Sequence, residues 1–155
     1  MTPAINTAKK AKITYVVHEY DHDPNAESYG IEAAEKLEVE PERVFKTLVV
    51  SDGGKVLFVA VLPVMQHLDL KLFAKAVGAK KVALADVKLA ERTTGYVVGG
   101  VSPLGQKKRL QTVIDASAES CQTMFVSGGR RGLDIELAPA DLAMLTKASF
   151  APIAR

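Results

Sequence analysis

The sequence predicts an α/β protein of the α+β kind, a single domain over residues 1–155 with a mixed or largely antiparallel sheet. A length of 155 residues suits one domain. Apolar β-branched runs are interspersed with capped helical segments, and several runs follow one another through tight turns, which disfavours a doubly wound sheet. The 48% hydrophobic and 25% charged residues are typical of a folded globular protein and exclude global disorder.

Each helix is predicted from a capping residue or a proline at its start, and the helix after Asp69 also has apolar residues at helical spacing. The predicted helices run from Thr2-Pro3 to about Lys10, Ser28 to Leu37, Asp69 to Val77, Asp86 to about Thr94-Gly95, and Pro139 to Lys147. Strands are predicted where β-branched and aromatic residues cluster, at residues 14–20, 44–50, 56–62, 81–84, 96–98, 110–114, 123–126 and 133–137. The clearest hairpin joins 44–50 to 56–62 through the turn Ser51-Asp52-Gly53-Gly54-Lys55.

The distribution of charge and the number of cysteines indicate the kind of surface and the cellular compartment to expect. The formal net charge is +2, but Lys and Arg cluster in the C-terminal half while Asp and Glu crowd one N-terminal stretch, a distribution that can produce a basic face. The single cysteine excludes an internal disulfide framework and suggests a reducing compartment. The N-terminal residues lack the apolar region of a secretory signal, and the apolar stretch 56–64 is too short to span a bilayer. We therefore expect a cytoplasmic protein without a membrane partner.

Two glycine-rich segments, residues 99–105 and 127–132, follow predicted strands and have basic flanks at Lys107-Lys108-Arg109 and Arg130-Arg131. Glycine allows backbone N–H groups to approach an anion or a polarised carbonyl closely, so these segments are candidates for binding a phosphate-bearing ligand. The alternative is that both are ordinary turns, for which glycine is also preferred. The first segment is not a nucleotide-hydrolysing P-loop, because its lysine comes one residue late and Lys108 occupies the position of the magnesium-binding hydroxyl.

Few side chains qualify as catalytic groups. Lys46 lies inside an apolar strand, where it either faces solvent or extends into a pocket as a partly desolvated amine. His18, Asp21, His22 and Asp23 lack the spacing of a metal site, since a strand followed by a turn scatters their side chains. Cys121 lies in a polar connection without a histidine nearby in sequence, so an incidental role is favoured over a nucleophile.

Long runs of this chain resemble the YbaK/EbsC family, which is related to the editing insertion domain of prolyl-tRNA synthetase. The resemblance extends from Thr2-Pro3-Ala4 nearly to the C-terminus and is carried by residues 44–48, 68–71, 93–109 and 125–137. It implies a mixed, barrel-like sheet with surrounding helices. It also implies a trans-editing enzyme that deacylates Cys-tRNA(Pro), with Cys-tRNA(Cys) as a further candidate substrate, in a reaction where the substrate's own thiol attacks the ester. No metal or organic cofactor is implied.

The resemblance also implies the roles of individual residues. Lys46 would contact the aminoacyl carbonyl or the terminal phosphate, while Tyr20 and Asp134 would orient the substrate and its amino group. Tyr29 stands where phenylalanine is commoner in the family and would border the side-chain pocket. The terminal ribose and the developing oxyanion would bind at two glycine segments, at Gly99, Gly100, Ser102 and Pro103 in one and at Ser127, Gly128 and Gly129 in the other.

The implied partners are the 3′ CCA end of an aminoacyl-tRNA and prolyl-tRNA synthetase with its tRNA(Pro). Two alternatives remain open from the sequence. The first is an Ala-tRNA(Pro) deacylase of the same superfamily, which would need a water nucleophile because alanine has no thiol. The second is a non-catalytic tRNA- or nucleotide-binding module that uses the same glycine segments.

Overall fold

The computed structural model describes residues 1–26 and 28–155, and its helices begin where the sequence places their caps. Thr2, Ser28, Asp69 and Asp86 each accept a hydrogen bond, through the side-chain oxygen, from the backbone N–H three residues later. The five α-helices of the described residues are α1 (Pro3–Ala11), α2 (Tyr29–Lys36), α3 (Leu70–Val77), α4 (Val87–Thr94) and α5 (Pro139–Thr146). All five predicted helices are confirmed. None of them is long and apolar enough to cross a bilayer.

The strands form two open sheets. They are β1 (Tyr15–Glu19), β2 (Phe45–Ser51), β3 (Leu57–Pro63), β4 (Ala83–Leu84), β5 (Gln111–Asp115), β6 (Met124–Arg130), β7 (Leu133–Leu137) and β8 (Ser149–Ala151). The five-stranded sheet has the order β4-β2-β3-β5-β8, with parallel pairing between β3 and β5 and between β5 and β8. The three-stranded sheet has the order β1-β7-β6 and is antiparallel throughout. The mixed α+β class is therefore confirmed, but the described strands do not close into one barrel.

Strand β3 explains how the two sheets share a core. All seven of its residues are buried, as expected for a central strand covered on both faces. Leu57, Val59 and Val61 pack in the cluster that also holds the inward residues of the three-stranded sheet, while Phe58 and Leu62 pack in the cluster that contains α3. The layers are thus three-stranded sheet, shared core, five-stranded sheet and α3. An isolated parallel bridge between Val44 and Phe125 connects the two sheets at one end.

The predicted strand at residues 96–98 is wrong. Helix α4 ends at Thr94 and is capped by Gly95 in the left-handed region, and the segment turns again at Gly99, where φ is +96°. Between these turns the Tyr96 hydroxyl donates to the Leu104 carbonyl at 2.6 Å, and the Val98 N–H donates to Glu91 Oε2 at 2.9 Å. The segment is held by side chains instead of by a neighbouring strand, which local β-propensity cannot reveal.

The second glycine segment is also more regular than predicted. Strand β6 continues through Gly128 and Gly129 to Arg130, with a register shift against β7 between Ser127 and Arg130. Such a bulge bends a strand without ending it. Strand β8, at Ser149–Ala151, was not predicted because its three residues are too short a run to show a strand pattern.

Candidate active site

A cavity of about 430 Å³ opens where the two sheets meet. Its lining comes from Tyr20 just after β1, the start of α2, strand β2, the segment from Leu84 to Val101, and the β6–β7 hairpin. Six of the residues predicted from the sequence line it together: Tyr20, Tyr29, Lys46, Gly99, Ser127 and Asp134. Residues that are far apart in the chain thus meet at one concave site.

Lys46 comes from the five-stranded sheet. Strand β2 pairs with β3 on one side and with β4 on the other, and Lys46 lies opposite Leu62 in this register. The side chain is partly buried at the cavity, and burial lowers its pKa from the usual value because the charged ammonium loses hydration there. Of the two sequence interpretations of Lys46, the structure supports the partly desolvated amine in a pocket.

Asp134 and Ser127 come from the three-stranded sheet, and Tyr20 directly follows its strand β1. Asp134 on β7 lies directly opposite Ser127 on β6, so both side chains are on the same face of the sheet. Asp134 is only 6% exposed, and burial raises the pKa of its carboxyl to about 7. Burial also raises the pKa of Tyr20 to about 12, with a further contribution from the negative charge of Asp134. The phenol is therefore protonated near neutrality and can donate a hydrogen bond.

Tyr29 and Gly99 shape the opening of the cavity. Tyr29 begins α2 and is 39% exposed. A Cβ at Gly99 would lie 2.7 Å from the Tyr29 ring, so only glycine leaves room for this side chain. The Arg131 guanidinium lies 3.9 Å from the centre of the same ring, a cation–π contact that helps to fix its position.

Five of the predicted binding residues do not belong to the described lining of this cavity. Most of the five are instead packed against other segments of the protein. A Cβ at Gly100 would be 2.7 Å from the Arg130 Cα, and one at Gly129 would be 3.0 Å from both Thr2 and Tyr96. The two glycine segments therefore pack against each other and against the start of α1. The Gly128 carbonyl accepts a hydrogen bond from the Thr2 hydroxyl, and Ser102 is fully buried. Pro103 lines a separate cavity of about 250 Å³.

Arg131 is the main residue at the site that was not predicted as such. Sequence reasoning placed it in a basic flank for phosphate, but its guanidinium lies 3.8 Å from the Glu32 carboxylate and donates to the Asp23 carbonyl at 2.8 Å. It therefore anchors the acidic segment beside Tyr29. Glu32 is 6% exposed and also accepts from the Asp23 N–H. The sequence shows only that Glu32 belongs to an acidic stretch, and its burial against Arg131 is a tertiary contact that no local pattern predicts.

The described lining contains no cysteine and no histidine. Cys121 lies elsewhere, and burial raises the pKa of its thiol, which disfavours the thiolate. Among residues 1–26 and 28–155, no three His, Cys, Asp or Glu side chains are grouped so that they could hold a metal ion. The arrangement instead offers an amine, a carboxyl group and a phenol around a small cavity, which can orient an ammonium group and polarise a carbonyl.

This fold and site define a class of small α+β domains that carry a cavity between two sheets. A comparison with family profiles identifies the family within that class. Residues 23–145 match the aminoacyl-tRNA editing domain, and the chain belongs to this family.

Known relatives agree with this assignment. Over 98% of its length the chain is 42% identical to EbsC of Enterococcus faecalis, which is named as a Cys-tRNA(Pro)/Cys-tRNA(Cys) deacylase, and the match covers 92% of that protein. It is 26% identical to the prolyl-tRNA editing protein ProX of Acetoanaerobium sticklandii, over 89% of this chain and 85% of ProX. The crystal structure of the hypothetical protein APE2540 has the same fold, with a TM-score of 0.88, 25% identity and 99% coverage of both chains.

Proposed function

We propose that this chain is a trans-editing deacylase, acting as one domain, that removes cysteine from Cys-tRNA(Pro), with Cys-tRNA(Cys) as a further substrate. The observation that carries the proposal is the cavity in which Lys46, Tyr20 and Asp134 meet while the described lining supplies no thiol or imidazole. A site of this kind suits a substrate that brings its own nucleophile. The name and the 42% identity of the Enterococcus faecalis relative support cysteine as the amino acid.

In the proposed reaction the cysteine thiol attacks its own ester carbonyl. The new S–C bond closes a thiolactone, the C–O bond to the terminal ribose breaks, and the proton lost by the thiol ends on the ribose oxygen. Well-oriented intramolecular attack can reach effective molarities of ~10⁵ M or more, so positioning can supply much of the rate. The protein's task is then to hold the aminoacyl group in the reactive conformation.

Each side chain has a proposed part in this positioning. Lys46 contacts the aminoacyl carbonyl, where its positive charge stabilises the developing oxyanion. The Asp134 carboxylate binds the substrate ammonium, and the opposite charge favours ionisation of a group whose pKa is about 7 in the free protein. Tyr20 donates a hydrogen bond that orients the substrate, while Tyr29 and Gly99 border the amino-acid side chain. Gly99 and Ser127 are the parts of the two glycine segments that line the cavity and could meet the terminal ribose.

Prolyl-tRNA synthetase is the proposed source of the substrate. One pocket discriminates between amino acids of similar size by only ~1–3 kcal/mol, so a second site is needed to remove the errors. Docking on the synthetase would raise the local concentration of the misacylated end at this cavity.

The test is deacylation of Cys-tRNA(Pro), Ala-tRNA(Pro) and 2-aminobutyryl-tRNA(Pro) by the purified protein. The last substrate replaces the thiol with a methyl group of similar size. We expect rapid loss of cysteine only, and a decrease of about 10²–10³-fold in its rate for Lys46→Ala. The matched control is Lys55→Ala, which removes an exposed lysine from the turn between β2 and β3 and should leave the rate unchanged.

The other outcomes separate the alternatives. Equal loss of alanine would replace the substrate thiol with a water nucleophile and favour an Ala-tRNA(Pro) deacylase. Binding of tRNA without turnover of any substrate, unaffected by Lys46→Ala, would identify a non-catalytic module.

A further inference from the structure

The charge of this protein is divided between two stretches of the chain. Residues 80–109 carry seven Lys and Arg against two Asp and Glu, although the whole chain has a net charge of only +2. Residues 19–42 carry nine Asp and Glu against a single lysine. Such a division creates a strong local field on a nearly neutral molecule.

Both stretches contribute to the cavity. Leu84, Val87 and Val98 from the basic stretch line it, and Tyr20 and Tyr29 from the acidic stretch line it as well. Leu84, Val87 and Val98 are also 48–60% exposed, which places them at the rim. The basic stretch therefore continues from the cavity onto the outer surface.

Four cations extend this rim, and we name them together the basic wall: Lys88, Arg92, Lys107 and Lys108. Lys88 and Arg92 are exposed and lie one turn apart on α4, next to the cavity-lining Val87. The Lys107 N–H donates to the Thr94 carbonyl at 2.8 Å, which brings residues 107 and 108 against the end of the same helix. The four exposed residues thus lie along α4 and against its C-terminal end.

The four cations of the basic wall are not paired with the two acidic residues of the α4 region, Asp86 and Glu91. Asp86 caps α4 through the Leu89 N–H, and Glu91 accepts from the Val98 N–H. Within the described part of the chain, none of the four cations forms an ion pair within 4.0 Å. Exposed cations without an ion-pair partner attract the phosphates of a nucleic acid.

We propose that the basic wall binds the phosphate backbone of the acceptor strand while the acylated 3′ end occupies the cavity, an inference that rests on the proposed function. The acidic stretch repels phosphate, so the RNA approaches over α4 and the segment at 107–108. Two other exposed lysines are poorer candidates for this phosphate contact. Lys71 and Lys75 form a similar pair on α3, but no residue of α3 lines the cavity.

The experiment compares two variants that each lose four exposed cations. In the first, Lys88, Arg92, Lys107 and Lys108 are all changed to Gln. In the matched control, Lys9, Lys10, Lys71 and Lys75 are all changed to Gln. Binding of uncharged tRNA(Pro) is measured by fluorescence anisotropy at salt concentrations of about 50 to 200 mM, and turnover is measured with both Cys-tRNA(Pro) and the small ester 3′-O-cysteinyl-adenosine.

For the basic-wall variant we expect tRNA affinity to fall by about tenfold or more at low salt. The slope of log affinity against log salt should decrease in size by about 2 to 4, since each phosphate contact contributes about 0.7–0.9. kcat/KM should fall for Cys-tRNA(Pro) and stay unchanged for the small ester. The control variant should retain most of the wild-type slope.

A wild-type slope in the basic-wall variant, or an equal loss in the control, would overturn the proposal. Loss of activity only in the presence of prolyl-tRNA synthetase, with tRNA binding unchanged, would also overturn it and assign the wall to a protein partner. Failure of the wild type to cleave either ester would refute the proposed function, and the binding slopes would still decide whether the wall contacts RNA.

Discussion

Asp134 shows how a single residue can serve a site at the expense of stability. Burial raises the pKa of its carboxyl from 3.8 to about 7, so between these values the folded protein holds a proton that the unfolded chain has released. Stability therefore decreases as the pH rises across this interval and is lowest above it. A carboxylate kept under such conditions is typical of a functional group.

We expect Asp134→Asn to be more stable than the wild type at pH 8 and to be a poor deacylase. Each pKa unit corresponds to about 1.4 kcal/mol, so the gain should be on the order of a few kcal/mol at pH 8 and absent near pH 4. Urea unfolding at both pH values, together with Cys-tRNA(Pro) turnover, measures both effects. The exposed Asp21→Asn is the control, and an equal gain there, or no gain at pH 8, would contradict the explanation.

At the scale of elements, the turn at Gly99 holds the start of α2 in place. Gly99 has φ +96° and approaches the Tyr29 ring, whereas Gly53 in the β2–β3 turn has φ +89° and open space around it. A side chain at either position would therefore cause similar backbone strain, but only at Gly99 would it also collide with the Tyr29 ring. They form a matched pair.

We expect Gly99→Ala and Gly53→Ala each to lose about 1–2 kcal/mol from left-handed strain, with a further loss at Gly99. Only Gly99→Ala should impair deacylation, because its methyl group displaces Tyr29 at the cavity opening. Thermal unfolding and turnover of Cys-tRNA(Pro) distinguish the two effects. If both variants kept full activity, Tyr29 would not depend on Gly99 for its position.

At the scale of the whole molecule, a polar clamp made of Arg43, Thr123, Glu136 and His18 joins the two sheets. Arg43 lies two residues before the start of β2, and its guanidinium lies 3.2 Å from the Glu136 carboxylate on β7. His18 contacts the other Glu136 oxygen at 2.9 Å, and Thr123 donates to the carboxylate as well. Because β2 carries Lys46 and β7 carries Asp134, this clamp sets the relative position of the two halves of the cavity.

Because the clamp contains the ionised Glu136, its contribution to the free energy of unfolding depends on pH. Burial raises the pKa of Glu136, but hydrogen bonds from Thr123 and His18 and the charge of Arg43 outweigh it, so the net pKa lies below the usual 4.5. The contribution to stability is therefore complete above about pH 4.5 and is lost as the pH falls through the lower folded pKa.

Glu136→Gln should reduce the free energy of unfolding by about 1–3 kcal/mol at pH 7, and the difference from the wild type should disappear in acid. Urea unfolding at pH 7 and pH 3 measures it, with the exposed Glu119→Gln as control. Turnover should fall too, although Glu136 does not line the cavity. A constant difference at both pH values would argue against the ionised clamp.

The sequence by itself determined the α+β class, the helix boundaries, the β2–β3 hairpin and, through its family resemblance, Lys46, Tyr20 and Asp134 as candidates. These features depend on caps, periodicity and motifs that act within a few residues. Tertiary structure alone decided that the strands form two open sheets instead of one barrel, that residues 96–98 form no strand, and that Gly99 lines the cavity while Gly100 packs on Arg130. The reason is physical: whether a glycine faces a ligand or another backbone depends on contacts between distant segments, which no local pattern records.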